Sequence, residues 1–263
     1  MGSGRVHNKI CLVTGAGSGI GKATAILLAE EEATVIVSDI DAHAAEQVAG
    51  VIRQGGGRAV AIRLNVADEP AWGALIETIL KAHERLDVLV NNAGVGCLKP
   101  IAETTLEEWR RVQSVNLEGV FLGTKYAIDA MRSRGGGSII NVASVTGLKA
   151  YRDTGAYSAS KAGVRQFSKV AAIECADAKT GIRVNVVSPG GVKTPIWDSA
   201  EFFQSLVEKL GGTEQAFAAM AGKSPSRVYS SPEEIARTIL FLASDESSHL
   251  TGTELVIAQG HAG

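Results

Sequence analysis

The chain has 263 residues, 45% of them hydrophobic, and a formal charge of -2 at pH 7, enough apolar material for one sizeable core in water. Positive and negative side chains are interspersed and Lys/Arg never form a run of five, so there is no basic stripe for a phosphate backbone and no nucleic-acid partner is expected. No apolar stretch approaches the roughly 18 residues that span a bilayer, and no basic segment followed by a long apolar one opens the chain, so no membrane partner and a cytoplasmic location are expected.

Cys11, Cys97 and Cys175 are far apart and odd in number, which argues against a disulfide framework; they read as small buried thiols. The histidines, His7, His43, His83, His249 and His261, include no pair at ligand spacing, and no metal is expected.

Residues 1–4 are small and polar and carry no fold signal, and from 5 to 263 no linker or charge block divides the chain, so it reads as one domain. A strand over 9–15 leads to a helix over 19–32, a strand over 34–39 to a helix over 41–54, and a strand over 58–65 to a helix over 69–84. The pattern repeats with a strand over 87–92 and a long helix over 105–133, then a strand over 137–144 and a helix over 155–178. A strand over 182–189, an insertion over 195–228, a helix over 232–244 and a last strand over 254–258 complete the chain. The strands are mostly continuous apolar runs, as strands covered on both faces are. Such alternation predicts an α/β fold, a doubly wound parallel sheet of about seven strands with helices on both faces.

Punctuation supports these boundaries. Ser231-Pro232-Glu233-Glu234 is a helix start, and Gly55-Gly56-Gly57 and Gly135-Gly136-Gly137 are helix-to-strand turns. The insertion carries Trp197, Phe202, Phe203, Leu206, Val207, Phe217 and Met220 and reads as a substrate lid. Its aromatic residues suit an apolar substrate and suit contacts within the lid equally well.

The first strand runs straight into Thr14-Gly15-Ala16-Gly17-Ser18-Gly19-Ile20-Gly21 and a helix. Strand, glycine turn and helix N-terminus together present unpaired amides and a positive dipole end to a pyrophosphate, the Rossmann arrangement, with Gly15, Ser18, Gly19, Ile20 and Gly21 as contacts. Asp39 ends the second strand, where a carboxylate accepts hydrogen bonds from adenosine ribose hydroxyls and repels a 2′-phosphate. Neither Ser18 nor its neighbour Ile40 supplies a cation to reverse that preference, so NAD is the expected cofactor. An ordinary strand-end aspartate bonded to its own turn is the alternative.

Tyr157 and Lys161 stand at i and i+4 of a predicted helix and share a face, and Ser144 ends a buried strand where open α/β sheets place their ligands. Moving a proton to and from a secondary alcohol as hydride leaves carbon requires an activated acid/base, and a phenol qualifies if its pKa falls from about 10 by roughly three units, about 4 kcal/mol. Lys161 and a cationic nicotinamide are expected to supply that lowering. Ser144 can donate to the substrate oxygen. Asn116 can hold a water against the Lys161 backbone as part of a proton relay.

Taken in order, the glycine turn, Asn91-Asn92-Ala93-Gly94, Asn116, Ser144, Tyr157-x-x-x-Lys161 and Pro189-Gly190 followed by Thr194 resemble the short-chain dehydrogenase/reductase family from about residue 9 to 260. The resemblance implies that Asn92, Ala93 and Gly94 line the adenosine side, that Pro189, Gly190, Val192 and Thr194 form the nicotinamide side, and that Lys161, beside Tyr157, holds the nicotinamide ribose. Asn65-Val66 stands where the family has Asp-Val, and the Asn65 amide oxygen is expected to accept from the adenine amine. Gln259-Gly260-His261 replaces the family's Asp-Gly-Gly. A homotetramer through the helices at 105–133 and 155–178 and the last strand is implied, as is a resemblance to bacterial dehydrogenases of alicyclic or steroid secondary alcohols. Two alternatives stand beside this: a 3-oxoacyl-thioester reductase using NADPH, and a non-catalytic NAD-sensing protein.

Overall fold

β-Branched runs too apolar to face water pair side by side, and helical crossovers return the chain so that each new strand joins in parallel. The computed structural model describes residues 4–222 and 226–260. His261 and positions 223–225 of the insertion lie outside the described residues.

The strands are β1 (Ile10–Thr14), β2 (Thr34–Asp39), β3 (Arg58–Arg63), β4 (Val88–Asn91), β5 (Gly137–Val142), β6 (Ile182–Pro189) and β7 (Glu254–Ile257). They form one seven-stranded sheet in the order β3-β2-β1-β4-β5-β6-β7, every pairing parallel. On one face α1 (Gly19–Glu30), α2 (Ala42–Gln54) and α9 (Pro232–Ala243) bury Leu28, Val48 and Ile235 against Val13 and Val90. On the other α3 (Glu69–His83), α5 (Gly119–Arg132) and α6 (Gly155–Asp177) bury Trp72, Met131 and Ala171 against Leu12 and Leu89. This is the doubly wound α/β arrangement that the alternation predicts.

Three expectations need correction. First, β3 and β7 are not covered on both faces: β3 alternates exposed and buried residues at its outer end and no residue of β7 is fully buried, because both are sheet edges. Second, the helix expected over 105–133 is α4 (Leu106–Gln113), a π-helical turn (Ser114–Glu118) and α5 in one continuous run. A π turn inserts one residue into the helical ladder and re-aims the side chain it carries. Here that residue is Asn116, fully buried. Third, Cys97 is only half-buried, on the loop after β4, while Cys11 and Cys175 are buried as expected.

The chain reverses direction across the sheet between β1 and β4, and the crevice outside their carboxyl ends is where such sheets bind ligands. The Thr14 hydroxyl fixes that crevice. It accepts the Asn92 and Ala93 N–H groups at 3.1 Å each and donates to the Val90 carbonyl at 3.3 Å.

Candidate active site

Every candidate residue lies at or just past the carboxyl end of a strand, or on the helix that follows. The turn after β1 closes tightly on α1: a Cβ at Gly21 would sit 2.1 Å from the Gly15 carbonyl oxygen. Among the described residues the amides of Gly19, Ile20 and Gly21 have no acceptor, and the exposed Ser18 caps the helix with backbone alone. Those donors and the helix dipole fit a pyrophosphate.

Asp39 is shared. Its Oδ2 accepts the Gly17 N–H at 2.9 Å and its Oδ1 the Asp41 N–H at 3.0 Å, so it braces the glycine turn as well as facing the crevice. Each carboxylate oxygen retains a lone pair for a ribose hydroxyl, so the two readings of this residue are compatible. Ser18 and Ile40 supply no cation, but the neighbouring strand does. The β2–β3 register sets Arg63 beside Asp39, and the Arg63 Nε donates to the Ile40 carbonyl at 3.2 Å while Ile40 itself is exposed. Local sequence around Ser18 and Ile40 does not show it because strand pairing brings it in.

On the adenosine side, the Asn92 side chain donates to the Thr14 and Gly15 carbonyls at 3.0 and 3.1 Å, holding the turn rather than pointing into the crevice. Ala93 and Gly94 continue that edge. Asn65 is exposed, and its Oδ1 accepts the Ala67 N–H at 3.1 Å, which leaves one lone pair for an adenine amine. Val66 is buried and its carbonyl accepts the Trp72 indole N–H at 2.9 Å.

Beyond β6, Gly190 donates to Ile257 at 2.8 Å, locking Pro189-Gly190 to the last strand. Val192 is buried, its carbonyl accepting the Trp197 indole N–H at 2.9 Å. The Thr194 methyl lies 3.1 Å from where a Gly19 Cβ would stand, so the segment after β6 meets the glycine turn across the crevice.

The four catalytic candidates converge. Ser144 begins a 3-10 turn (Val145–Gly147) after β5, its hydroxyl accepts the Thr146 N–H at 3.2 Å, and its side chain lies close enough to Tyr157 to draw the phenol pKa down. One turn further along α6, the Lys161 ammonium, 3% exposed, donates to the Val142 carbonyl at 2.9 Å and lies 5.7 Å from the centre of the Tyr157 ring. Gly94 passes between Asn116 and Lys161: a Cβ there would be 3.4 Å from the Asn116 Oδ1 and 3.5 Å from the Lys161 Nζ.

Electrostatics depart from expectation. Burial pushes the Tyr157 phenol up to about 12, and the nearby Ser144 side chain offsets only part of this. Burial also draws the Lys161 ammonium down to about 8. Lys161 therefore does not lower the phenol within the chain alone, because its Nζ is turned to the Val142 carbonyl and desolvation dominates. Asn116 differs too. Its side chain accepts the Val95 N–H at 2.8 Å and donates to the Val95 carbonyl at 3.0 Å and to Ser160 at 3.1 Å, which leaves it no free N–H for a water. Ser160, fully buried, passes the connection on by donating to the Tyr157 carbonyl at 2.7 Å. The only sequence signal for Ser160 was its place three residues after Tyr157.

The insertion holds a 3-10 turn (Pro195–Ser199), α7 (Glu201–Leu210) and α8 (Thr213–Ala221). Its aromatic residues pack on one another: Phe203 and Phe217 are buried with ring centres 4.9 Å apart, and Trp197 lies against Phe203 and Tyr229. Of the two readings of these residues, internal packing holds for Phe203 and Phe217. Phe202 remains exposed. A cleft of about 380 Å³ opens between Pro100, Ile101, Tyr151 and Thr154, beside the start of the helix carrying Tyr157.

A family model described as enoyl-(acyl carrier protein) reductase matches residues 15–262. The cyclopentanol dehydrogenase of Comamonas testosteroni is 40% identical over 258 residues, 98% of each chain. The NADP-dependent (R)-specific alcohol dehydrogenase of Lentilactobacillus kefiri is 39% identical over 260 residues, again 98% of each. A solved short-chain type dehydrogenase/reductase from Mycobacterium marinum superposes with a TM-score of 0.86 at 34% identity, covering 97% of this chain and 96% of that one. This chain belongs to the short-chain dehydrogenase/reductase family, a class of oxidoreductases.

Proposed function

We propose that this chain is an NAD(H)-dependent dehydrogenase that interconverts an apolar, cyclic secondary alcohol and its ketone. The observation that carries the proposal is the convergence of Ser144, at the turn after β5, with Tyr157 and the buried Lys161, whose ammonium lies 5.7 Å from the Tyr157 ring centre, at the carboxyl edge of the sheet. The likeness to a cyclopentanol dehydrogenase and the apolar Ile101 and Tyr151 at the cleft support the alicyclic substrate.

Bound nicotinamide supplies the hydride acceptor and a positive charge. Ser144 donates to the alcohol oxygen and keeps it against Tyr157. Tyr157 takes the hydroxyl proton during oxidation and returns it during reduction. Lys161 would hold the ribose of a bound cofactor, and its cationic charge would stabilise phenolate against desolvation. Asn116 keeps Val95 and the Ser160–Tyr157 backbone in place beneath the reacting groups.

Asp39 supports NAD over NADP, since a carboxylate repels a 2′-phosphate. Arg63, beside it, supports the rival NADPH-linked reductase, because a guanidinium matches phosphate geometry. A homotetramer is part of the proposal and is supported by exposed Phe121, Val170 and Ile173 on α5 and α6 and Val256 on β7. So is a cytoplasmic location, supported by three unpaired thiols.

The test is a panel of cyclic, aromatic, steroidal and acyclic secondary alcohols, each with NAD and with NADP, followed by absorbance of the reduced cofactor. Oxidation of cyclic alcohols with NAD is the expected result. Strong preference for NADPH with an acyl-thioester ketone overturns it, and no turnover with an unimpaired Tyr157→Phe variant in cells points to a sensor.

A further inference from the structure

Arg165 lies one helical turn beyond Lys161 on α6, and its guanidinium joins three pieces of chain. Its Nε and Nη2 donate in parallel to the two carboxylate oxygens of Glu254 on β7, at 2.6 and 2.8 Å. Its Nη1 donates to the Gly147 carbonyl at 2.6 Å. Ser188 donates to the same carboxylate at 2.7 Å, and Ser188 immediately precedes Pro189-Gly190. The Arg165 and Glu254 side chains are only 19% and 11% exposed, so the fork sits in a largely dry environment where bidentate bonds are short and directional. Burial alone would push the Glu254 carboxyl up, yet the bonds from Arg165 and Ser188 hold it below its usual range.

Gly147 closes the short turn that Ser144 begins. The turn is pressed onto α6 backbone to backbone: a Cβ at Gly147 would stand 2.8 Å from both the Ala162 nitrogen and the Lys161 carbonyl carbon. Ser144 and Tyr157 thus stand on opposite sides of a joint between turn and helix, and Arg165 ties the two sides together through the Gly147 carbonyl.

We infer that Arg165 is a positioning residue for alcohol oxidation: through Gly147 it sets the Ser144 turn against the helix of Tyr157 and Lys161, and through Glu254 it ties both to the strand end before Pro189. This rests on the dehydrogenase reading above. Arg165 touches no reacting atom. An ion pair with a purely structural role would lower stability without regard to Ser144, whereas a positioning residue acts through that hydroxyl.

A double-mutant cycle separates the two. The full chain is compared as wild type, Arg165→Lys, Ser144→Ala and the double variant, reading kcat, KM for an alcohol that the wild type oxidises, and the dissociation constant for NADH. Lysine keeps the charge but cannot serve the Glu254 fork and the Gly147 carbonyl together. Arg165→Lys should lower kcat by about ten- to a hundredfold, with NADH binding within about twofold. In the Ser144→Ala background the same change should cost less than about threefold, because the group it positions is gone. If Arg165→Lys does not fold, as judged by NADH binding, Glu254→Gln takes its place in the cycle with the same expectation. Losses that multiply in the double variant overturn this inference and leave the dehydrogenase standing. A wild type that oxidises no secondary alcohol overturns both.

Discussion

The Lys161 ammonium and the Tyr157 ring are stacked 5.7 Å apart, with the ammonium hydrogen-bonded away from the phenol to Val142 at 2.9 Å. Burial shifts both groups toward neutrality, the phenol to about 12 and the ammonium to about 8. The chain alone therefore holds both groups in the uncharged direction, and under the proposed function a positive charge that rebalances them would come with the cofactor.

Tyr157→Phe removes the phenol hydroxyl beside Ser144. Turnover should fall by about 10² to 10⁴, the usual worth of a positioned acid/base. NADH binding, followed by fluorescence titration, should stay near the wild-type value, since Asp39 and the glycine turn are untouched. Equal loss of binding and turnover would show that Tyr157 acts in cofactor capture instead.

Lys161 has a pH signature in stability. Its pKa is lower in the folded chain, about 8, than its usual 10.5. Its contribution is therefore favourable above pH 10.5 and is lost as pH falls through about 8, at a cost of about 3 kcal/mol when the ammonium is buried charged. Lys161→Met should raise the melting temperature at pH 7 by about 5 °C, and the gain should shrink as pH climbs from 8 toward 10.5. A melting difference that is flat with pH contradicts this account. Activity should be lost at every pH.

Asp39 and Arg63 make the proposed cofactor choice testable. Asp39→Ala removes the repulsion of a 2′-phosphate while Arg63 stays, so the ratio of kcat/KM for NAD over NADP should drop by about tenfold or more, one to two kcal/mol of discrimination. Arg63→Gln should move the ratio the other way. Because Asp39 also accepts the Gly17 N–H, Asp39→Ala should cost some stability as well.

Phe203 tests the insertion. It is 1% exposed and its ring packs 4.9 Å from Phe217, so Phe203→Ala should cost about 3–5 kcal/mol of local packing. Proteolysis within 195–228 should accelerate and KM for the alcohol should rise. NADH binding should change little, because the glycine turn lies outside that cluster.

Sequence by itself determined the α/β architecture and most of the site. Parallel strands buried on both faces demand long apolar runs, crossover helices demand 3.6-residue periodicity, and the turn after β1 demands glycine where Gly21 meets the Gly15 carbonyl, so each leaves a local mark. Tyr157 and Lys161 were legible because helix spacing fixes their common face. Only the tertiary structure decided the rest, since hydrogen bonds between segments distant in sequence have no period. Arg63 stands opposite Asp39 through strand register, both side-chain N–H groups of Asn116 are taken by Val95 and Ser160 because a π turn re-aims it, and Arg165 meets Glu254 and Gly147 only once β7 closes the sheet. Charge balance belongs to the same group: whether a lysine lowers a phenol depends on burial and on where its ammonium points, and both are set by packing.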